Sequence, residues 1–527
     1  MIINDVVITV LQFLSTLFVS AIGLGVLAMI VMFILDVTQT KDAVRKNYPI
    51  VGRFRYLFST LGEFFRQYFF AMDREEMPFN RAEREWIDKA AKGHDNTVAF
   101  GSSKNLTPPG TAIFTNCPFP TLDEDAVEMQ PVEIGPYCKH PYNASSFFNI
   151  SGMSYGALST PAVLALSNGA KKAGCWMNTG EGGLSPHHLA GGCDIVMQIG
   201  TAKYGVRNEK GELCDAKLKE VSAHEQVRMF ELKMSQGAKP GKGGILPAIK
   251  VTPEIAKIRG IPEGKASISP NRHPEINNPQ EMLDVMDHIR NVTGKPVGFK
   301  AVIGSFGWIE TLCEEIHKQG VQHAPDFITI DSGDGGTGAA PMPLMDNVGL
   351  VVKESLPIVS DILYKYGLRD RIKLIASGKL VTPSEISWAL AAGADFVTSA
   401  RGFMFSLGCI QALKCNKNTC PTGITTHNKR LQKGLNPEDK SVKVANYCLK
   451  MVHETHIISH SCGVTRPRLM GRHHVRIVQN NGRSIPMDQL YPRPKILPEY
   501  KDIAASLASL VPKAEMEQGG YCSQSHK

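Results

Sequence analysis

The longest hydrophobic pattern in the chain lies near its amino terminus. The thirty residues from Val6 to Leu35 carry no formal charge. A helix of that length reaches about 45 Å, which is enough to cross a hydrocarbon core of about 30 Å. A signal peptide has an apolar run of about 7–15 residues after a basic start. This run is longer and follows Asp5. We therefore expect a single transmembrane helix within residues 1–40.

The residues after this predicted helix indicate its orientation. Several of them are basic, at Lys41, Arg45, Lys46, Arg53 and Arg55. Because positive charge stays on the cytoplasmic side of a membrane, the rest of the chain is expected to face the cytoplasm, anchored in the inner (cytoplasmic) membrane. Residues 41–100 are also rich in aromatic side chains. These either pack on the main domain, which is the commoner outcome, or lie along the bilayer surface.

From about residue 145, short apolar runs alternate with helical patterns. Such alternation predicts a parallel sheet, and eight runs are the number found in a closed (β/α)₈, or TIM, barrel. A doubly wound sheet would also alternate, but no G-x-G-x-x-G sequence opens this region. The predicted strands are Phe147–Gly152, Gly174–Asn178, Asp194–Gln198, Met229–Met234, Pro296–Val302, Asp326–Asp331, Ile372–Ser377 and Asp395–Ser399. Predicted helices include Pro161–Ala173, Gln280–Val292, Trp308–Gln319 and Pro383–Ala391.

These patterns divide the chain into four parts. We expect an anchor at 1–40, a juxtamembrane and pre-barrel segment at 41–144, the barrel at 145–430, and a C-terminal extension with a flexible tail at 431–527. The longest interruption of the barrel pattern, Gln236–Pro279, is rich in Gly, Pro and Lys. It is predicted to form a loop over the barrel mouth.

Composition limits the function classes. The chain has 527 residues, of which 43% are hydrophobic and 20% charged, so it is a globular protein rather than a disordered or fibrous one. Its 58 Lys and Arg residues against 50 Asp and Glu give a net charge of +8. That excess is weak for this length, and it does not argue for nucleic acid. Most of the twelve cysteines are scattered singly, which favours a reducing compartment over a disulfide framework.

Polar and basic residues follow the predicted strands. In this type of barrel the chemistry lies just past the carboxyl ends of the strands. Those positions form a cation-rich rim that suits an anionic ligand. Lys300 ends an apolar strand, and a buried lysine needs an anionic partner such as a reduced flavin. The alternative is a lysine that faces solvent.

Three glycine-containing segments follow the last predicted strands. Ser332–Gly338 has four glycines in seven residues, and Gly378 and Gly402 follow the next two strands. Glycine loops let backbone N–H groups approach a ligand closely, and many barrels bind a phosphate at this place. We therefore predict a phosphate or cofactor site there, with ordinary tight turns as the alternative.

Cys409, Cys415 and Cys420 form the one tight cysteine group, which Pro421 follows. Three thiolates are one fewer than the usual four for a cubane cluster. The spacing therefore leaves open a three-iron cluster, a fourth ligand from elsewhere, zinc completed by a residue such as His427, or buried free cysteines. Because the group follows the segment around Gly402, a cluster there would lie within electron-transfer reach of a bound flavin.

Taken together, these motifs resemble the FMN-binding synthase domain of glutamate synthase in its stand-alone form. The resemblance covers roughly residues 145–430 in the same order. It rests on Gly152–Ser159, Asn178–Gly183, Lys233–Gly241, Ile268–Pro270, Ser332–Ala340 and the cysteine group ending in Asn418–Pro421.

The resemblance implies FMN, a [3Fe–4S] cluster on the three cysteines, and reduction of 2-iminoglutarate, formed from 2-oxoglutarate and ammonia, to L-glutamate. It implies that Glu181, Lys233 and Lys300 face the substrate. It also implies that the FMN site is lined by Ser154, Asn178, Lys300, Gly336, Gly378 and Gly402. Position on the rim adds four further predicted cofactor-binding residues, Gln198, Ser332, Gly335 and Arg401.

The same resemblance raises expectations about partners. Larger members begin with a glutaminase domain, whereas this chain begins with the predicted anchor. We therefore expect free ammonia or a glutaminase partner, and a membrane-bound electron donor. Where the family has the sequence Gly-Arg-Phe-Gly-Val, this chain has Ala-Lys-Tyr-Gly-Val at 202–206. The glutamate that often follows Glu-Gly-Gly in the family is replaced here by Leu184. These departures leave the identity of the substrate open. The two alternatives are flavin-dependent oxidation of an amino or hydroxy acid, with electrons passed to a membrane acceptor, and a non-catalytic iron–sulfur scaffold.

Overall fold

The computed structural model describes residues 2–509, without the side chains of residues 2–6, 63, 64 and 67. The chain divides into two compact units, with the division between Ala82 and Glu83. The first unit contains α1 (Ile2–Thr38), α2 (Ala43–Asn47) and α3 (Val51–Phe65), and α3 continues as a π-helical turn, Arg66–Phe70. The predicted helix over the apolar run is thus confirmed. Its 32 residues Val7–Thr38 are long and apolar enough to cross a membrane, a property that signal sequences share.

A buried carboxylate ties the helices of the first unit together. Asp36, in the last turn of α1, is 0% exposed. It accepts hydrogen bonds from the guanidinium groups of Arg45 at 2.6 Å and Arg53 at 2.8 Å, and from the backbone N–H of Ile50 at 3.0 Å. A buried charge is tolerated only when it is paired and hydrogen-bonded. The first turn of α3 is therefore held against the end of α1.

A helix, which lies in the second unit from Glu83 onward, and three short strands of that unit precede the barrel. They are α4 (Arg81–Ala91), β1 (Ala112–Phe114), β2 (Val132–Ile134) and β3 (Tyr142–Ala144). Strands β2 and β3 pair as an antiparallel hairpin. The hairpin packs in one buried cluster with Trp176, Phe327 and Phe396. Because Phe327 and Phe396 begin their strands, the hairpin closes the amino-terminal end of the barrel.

Eight parallel strands close into the predicted barrel. Each predicted strand overlaps an observed one, so the fold prediction is confirmed. The barrel strands are β4 (Phe148–Ile150), β5 (Met177–Asn178), β6 (Ile195–Ile199), β7 (Val227–Lys233), β10 (Val297–Val302), β11 (Phe327–Asp331), β12 (Lys373–Ser377) and β13 (Phe396–Ser399). The short strands β8 (Ile245–Leu246) and β9 (Ser267–Ile268) lie between β7 and β10. The register places Lys300 beside Lys233, and Asp331 beside Ser377.

The barrel helices begin and end where capping chemistry places them. Ser159 and Asn278 accept hydrogen bonds from first-turn N–H groups, and left-handed glycines such as Gly174 and Gly393 end helices. These helices are α5 (Thr160–Ala173), α6 (Pro186–Leu189), α7 (Asp215–Ala223), α8 (Pro253–Arg259), α9 (Pro279–Thr293), α10 (Gly307–Gln319), α11 (Met342–Asn347), α12 (Val352–Lys365), α13 (Pro383–Ala392) and α14 (Arg401–Ser406).

The predicted loop over the barrel mouth, Gln236–Pro279, contains regular secondary structure that the sequence did not indicate. The segment contains the antiparallel pair β8–β9 and the helix α8 between them. Thr252 caps α8 at its start, and Gly260 ends it in the left-handed conformation. The Gly and Pro content that indicated a loop therefore marks the ends of short elements.

The C-terminal extension completes the second unit. Its elements are α15 (Lys429–Gln432), α16 (Pro437–Ser461), β14 (Val475–Val478), β15 (Ser484–Pro486), α17 (Met487–Leu490) and α18 (Lys501–Ala508). Helix α16 packs against α5 and α13, and β14 pairs with both β1 and β15. The extension is thus built into the barrel wall and joined to the segment before the barrel. The predicted flexible tail lies mostly in residues 510–527, outside the described residues.

Candidate functional site

A buried glutamate organises the interior of the barrel. Glu231, on β7, is 3% exposed. Its carboxylate accepts hydrogen bonds from Gln198 at 2.7 Å, Asn178 at 3.1 Å and Thr329 at 3.1 Å. Beside it lies a cavity of about 10 Å³, also lined by Thr398, which is about the size of one water molecule. The Glu231 carboxylate therefore fixes the side-chain amides of Asn178 and Gln198, both of which are predicted to bind cofactor.

Lys300 forms a buried ion pair at the carboxyl end of β10. Its Nζ lies 3.1 Å from Oδ2 of Asp331, and both side chains are 8% exposed. Burial alone would lower the pKa of Lys300, but the carboxylates of Asp331 and Glu231 outweigh it and raise the pKa. Burial would raise the pKa of Asp331, and Lys300 and the N–H of Gly237 bring it below its ordinary value. Lys300 is therefore a positively charged, buried side chain held by Asp331. The alternative of a lysine that faces solvent is wrong.

A second ion pair joins the two other predicted substrate residues. Nζ of Lys233 lies 3.0 Å from Oε2 of Glu181. The carboxylate fits between two glycines, since a Cβ on Gly200 or Gly244 would collide with it. Burial would raise the pKa of Glu181, but Lys233 and other nearby cations bring it below its ordinary value. Glu181 is thus an ion-paired carboxylate whose side chain is 17% exposed.

Two further cations of this pocket were missed in the sequence. Lys239 is buried, and its burial, together with the like charge of Lys233, lowers its pKa to about 8. Arg259, at the end of α8, donates to the carbonyl of Tyr155 at 3.2 Å and reaches Ser154 at 3.5 Å. Neither residue follows a barrel strand directly, so the strand-end rule could not find them.

The three glycine segments that follow the last barrel strands lie in contact with one another. The N–H of Ser332 bonds the carbonyl of Ser377 at 3.0 Å, and a Cβ on Gly378 would collide with Ser332. A Cβ on Gly336 would touch the Arg401 guanidinium. Gly335 turns back onto Ser332 through an N–H···O bond of 2.8 Å. The loops after β11, β12 and β13 therefore form one surface at the mouth.

Gly402 has a different reason for being a glycine. A Cβ there would lie 2.2 Å from the hydroxyl oxygen of Tyr447, on α16. The Gly402 N–H donates to Ser399 at 3.3 Å, at the end of β13. Close packing of α16 explains this glycine without a ligand. Its predicted role in cofactor binding stays a prediction.

The cysteine group lies on the loop after α14. Burial raises the pKa of Cys409 to about 11, and the thiols of Cys415 and Cys420 add to that shift. The three are thus close enough to act on one another electrostatically. Buried Lys250, from the segment before α8, donates to the backbone carbonyls of Cys415 at 3.0 Å and Ala157 at 2.9 Å. Within residues 2–509, however, no three His, Cys, Asp or Glu side chains are already arranged to hold a metal ion.

His427, considered as a fourth ligand, is engaged elsewhere. Its Nε2 lies 2.8 Å from the carbonyl oxygen of Gly156. Burial lowers its pKa to about 4, so the ring is neutral and donates this hydrogen bond. The bond ties the loop that follows Cys420 to the segment after β4.

Comparison with known proteins identifies the family. The conserved region of glutamate synthase matches residues 120–465, which include the whole barrel and the cysteine loop. The chain belongs to the glutamate synthase family. It is thus related to oxidoreductases, and the expectation of an enzyme is confirmed at this level.

The relatives differ in how much of their length the chain covers. The glutamate synthase large subunit-like protein YerD of Bacillus subtilis is 39% identical over 521 residues, which are 92% of this chain and 98% of that protein. The archaeal glutamate synthase [NADPH] of Methanocaldococcus jannaschii is 35% identical over 60% of this chain and 58% of its own length. Among solved structures, a flavocytochrome b2 mutant with benzoylformate covers 79% of this chain and 84% of its own, at 15% identity and a TM-score of 0.44.

The glutamate synthase family implies FMN, and the residue types at the barrel mouth are suited to bind it. Exposed Gly336 and Gly338 offer backbone for a phosphate, and a Cβ on Gly338 would meet nothing within 4 Å. Lys300 and Arg401 supply cations beside that surface. For the cluster, the three thiols on one loop are suitable ligands, although in the described residues their sulfur atoms are not grouped closely enough to hold a metal ion.

Proposed function

We propose that this chain is a membrane-anchored glutamate synthase-type oxidoreductase that reduces 2-iminoglutarate to L-glutamate with FMN and a [3Fe–4S] cluster. The observation that carries the proposal is the buried, cation-rich pocket at the mouth of a glutamate synthase-family barrel. Lys233, Lys239 and Arg259 all act electrostatically on the one carboxylate of Glu181. The three cations and the one carboxylate together carry a net charge of +2, which matches the two carboxylates of 2-oxoglutarate.

The chemistry needs one condensation and one reduction. Ammonia replaces the ketone oxygen of 2-oxoglutarate, which leaves as water, and the imine then takes up a hydride and a proton to become L-glutamate. FMN, when bound, supplies the hydride. Lys233 can donate a proton to the departing oxygen, since Glu181 beside it remains a carboxylate. Lys239, with a pKa of about 8, can move a proton near neutral pH.

The direct test is a single turnover without air. Purified protein is reduced with dithionite, mixed with 2-oxoglutarate and ammonium, and followed by flavin absorbance and glutamate analysis. The proposal requires that the flavin reoxidises and that glutamate forms in equal amount. Reoxidation by a different acid, or reduction by an amino or hydroxy acid alone, would instead support the alternative of amino or hydroxy acid oxidation with a membrane acceptor. A protein without FMN absorbance would support the scaffold alternative.

The cluster assignment has its own prediction. Cys415→Ser is expected to abolish the EPR signal of an oxidised three-iron cluster, because a hydroxyl replaces one of three thiolate ligands. Cys448→Ser is the matched control, since Cys448 is a buried cysteine on α16 away from the loop. Circular dichroism should show the barrel intact in both variants. A full EPR signal in Cys415→Ser would contradict the three-thiolate assignment.

Lys300 is proposed to stabilise the reduced flavin, which is negative near N1. Lys300→Met is expected to lower the flavin midpoint potential by about 30–60 mV, the two-electron equivalent of one charged hydrogen bond of about 1.5–3 kcal/mol. Potentiometric titration measures this change, and Lys300→Arg should restore most of it. An unchanged potential in Lys300→Met would place the lysine away from the flavin.

We further propose that α1 anchors the enzyme in the inner membrane with the barrel in the cytoplasm. The basic residues after α1 support this orientation. Electrons would then come from a membrane-bound donor, and ammonia from solution or a glutaminase partner. Mass spectrometry of the mature chain distinguishes an anchor, which is retained, from a signal sequence, which is removed.

A further inference from the structure

Helix α3 has one apolar side that is exposed to solvent. At 100° per residue, its apolar residues Val51, Phe54, Leu57, Phe58 and Leu61 fall within an arc of roughly 120°. Their exposed fractions are 66%, 49%, 50%, 65% and 37%. Phe69 and Phe70, in the π-helical turn that follows, are 68% and 76% exposed. A continuous exposed apolar surface of this kind marks a contact with a partner or a membrane.

The start of α3 is fixed at the end of the predicted membrane helix. Asp36 lies in the last turn of α1 and bonds both Arg53 and the N–H of Ile50, at the first turn of α3. The 32-residue apolar helix Val7–Thr38 is about 48 Å long, which covers a hydrocarbon core of about 30 Å together with headgroup regions. The last turn of α1, and with it the first turn of α3, therefore belongs at headgroup depth.

The charges around α3 fit the same location. Residues 36–70 contain six basic and three acidic residues. Lys41, Lys46, Arg55 and Arg66 are exposed, whereas Arg45 and Arg53 neutralise Asp36. Exposed basic residues next to an apolar helix face are typical of helices that lie in the interface of an anionic membrane.

We propose that α3 and the turn Arg66–Phe70 lie flat in the headgroup boundary of the membrane that α1 spans, with the apolar side of α3 toward the acyl chains. This inference rests on the proposed anchor. It gives residues 51–70 a role as a second membrane contact. In this proposal the bilayer covers the exposed apolar side of α3. The test must distinguish the bilayer from two other occupants, the barrel unit and a second copy of the chain.

The test uses depth-dependent quenching of tryptophan in the full chain. Three single variants are reconstituted at low protein-to-lipid ratio in vesicles of phosphatidylglycerol and acyl-brominated phosphatidylcholine. Phe58→Trp reports on the apolar side of α3, and Thr60→Trp, about 160° from Phe58 around the helix axis, is the matched control. Leu24→Trp, near the middle of α1, reports on the anchor. The four natural tryptophans give the background, which is measured on the unaltered chain.

We expect Phe58→Trp to lose most of its added emission to bromine placed just below the headgroups, and Thr60→Trp to lose little, since interfacial helices bury their apolar side about 5–10 Å. Leu24→Trp should be quenched only by bromine deep in the acyl chains. Quenching of Leu24→Trp without quenching of Phe58→Trp would overturn this inference and leave the anchor in place, with the barrel or a second copy covering α3. Equal quenching at positions 58 and 60 would also overturn it. If no variant is quenched, the anchor itself is wrong.

Discussion

Asp326→Asn is expected to lower the free energy of unfolding of the barrel unit by about 3–5 kcal/mol, because it removes the charge from a buried ionic cluster. Asp326 precedes β11 and is 0% exposed. Its carboxylate lies 3.1 Å from Nε of Arg290 and 2.9 Å from a terminal nitrogen of Arg371, and it accepts the N–H of Val297 at 2.8 Å. The amide would leave two buried arginines without their shared counter-ion.

Asp194→Asn provides the matched control. Asp194 occupies the equivalent place before β6 and pairs with Arg228 at 2.7 Å, but these two side chains are 36% and 39% exposed. Solvent screens such a pair, so the expected loss is about 0–1 kcal/mol. Urea denaturation followed by circular dichroism measures both variants. Equal losses in the two would show that burial does not determine the contribution of these aspartates.

Lys233→Met is expected to lower kcat/KM for 2-oxoglutarate by about 100-fold to 1000-fold, the usual effect of removing one preorganised donor from an active site. The reason is its place in the pocket, 3.0 Å from Glu181 and beside two other cations. Without Lys233 the pocket has one positive charge fewer for a dianion, and Glu181 loses its nearest partner. Anaerobic stopped-flow kinetics of the reduced protein measures the change.

Two variants separate this effect from a loss of folding. Lys242→Met removes an exposed lysine nine positions further on and should keep kcat/KM within about twofold, since an exposed charge is screened by solvent. Lys233→Met combined with Glu181→Gln removes both members of the ion pair and should regain stability without regaining activity. A double variant with normal activity would show that neither residue contacts the substrate.

The fold could be predicted closely because its signals are local. Each barrel strand is an apolar run between polar residues, and helices such as α5 and α13 carry their own start and stop residues, Ser159 with Gly174 and Thr382 with Gly393. Strand ends also predicted the rim, because the polar residues there directly follow apolar runs. The short helix α8 was missed, since its capping residues lie among glycines and prolines that indicate a loop.

The candidate site could be predicted only in part, because its ion pairs join distant segments. Lys300 was predicted to need an anionic partner, and the structure shows one that the sequence did not indicate, Asp331 on the neighbouring strand. The role of Glu231 could not be predicted, because a single acidic residue within an apolar strand does not indicate which residues it contacts. The structure shows that it bonds donors from three other strands.

The sequence alone determined the apolar helix, the eight-stranded barrel and the residues at its rim, because periodicity and capping depend on neighbours along the chain. Tertiary structure decided which charges meet. It paired Lys233 with Glu181 and tied α3 to the end of α1 through Asp36. It also joined β1 to β14, which lie more than 350 residues apart. Such contacts depend on burial, which gives an ion pair its strength and which no local pattern specifies.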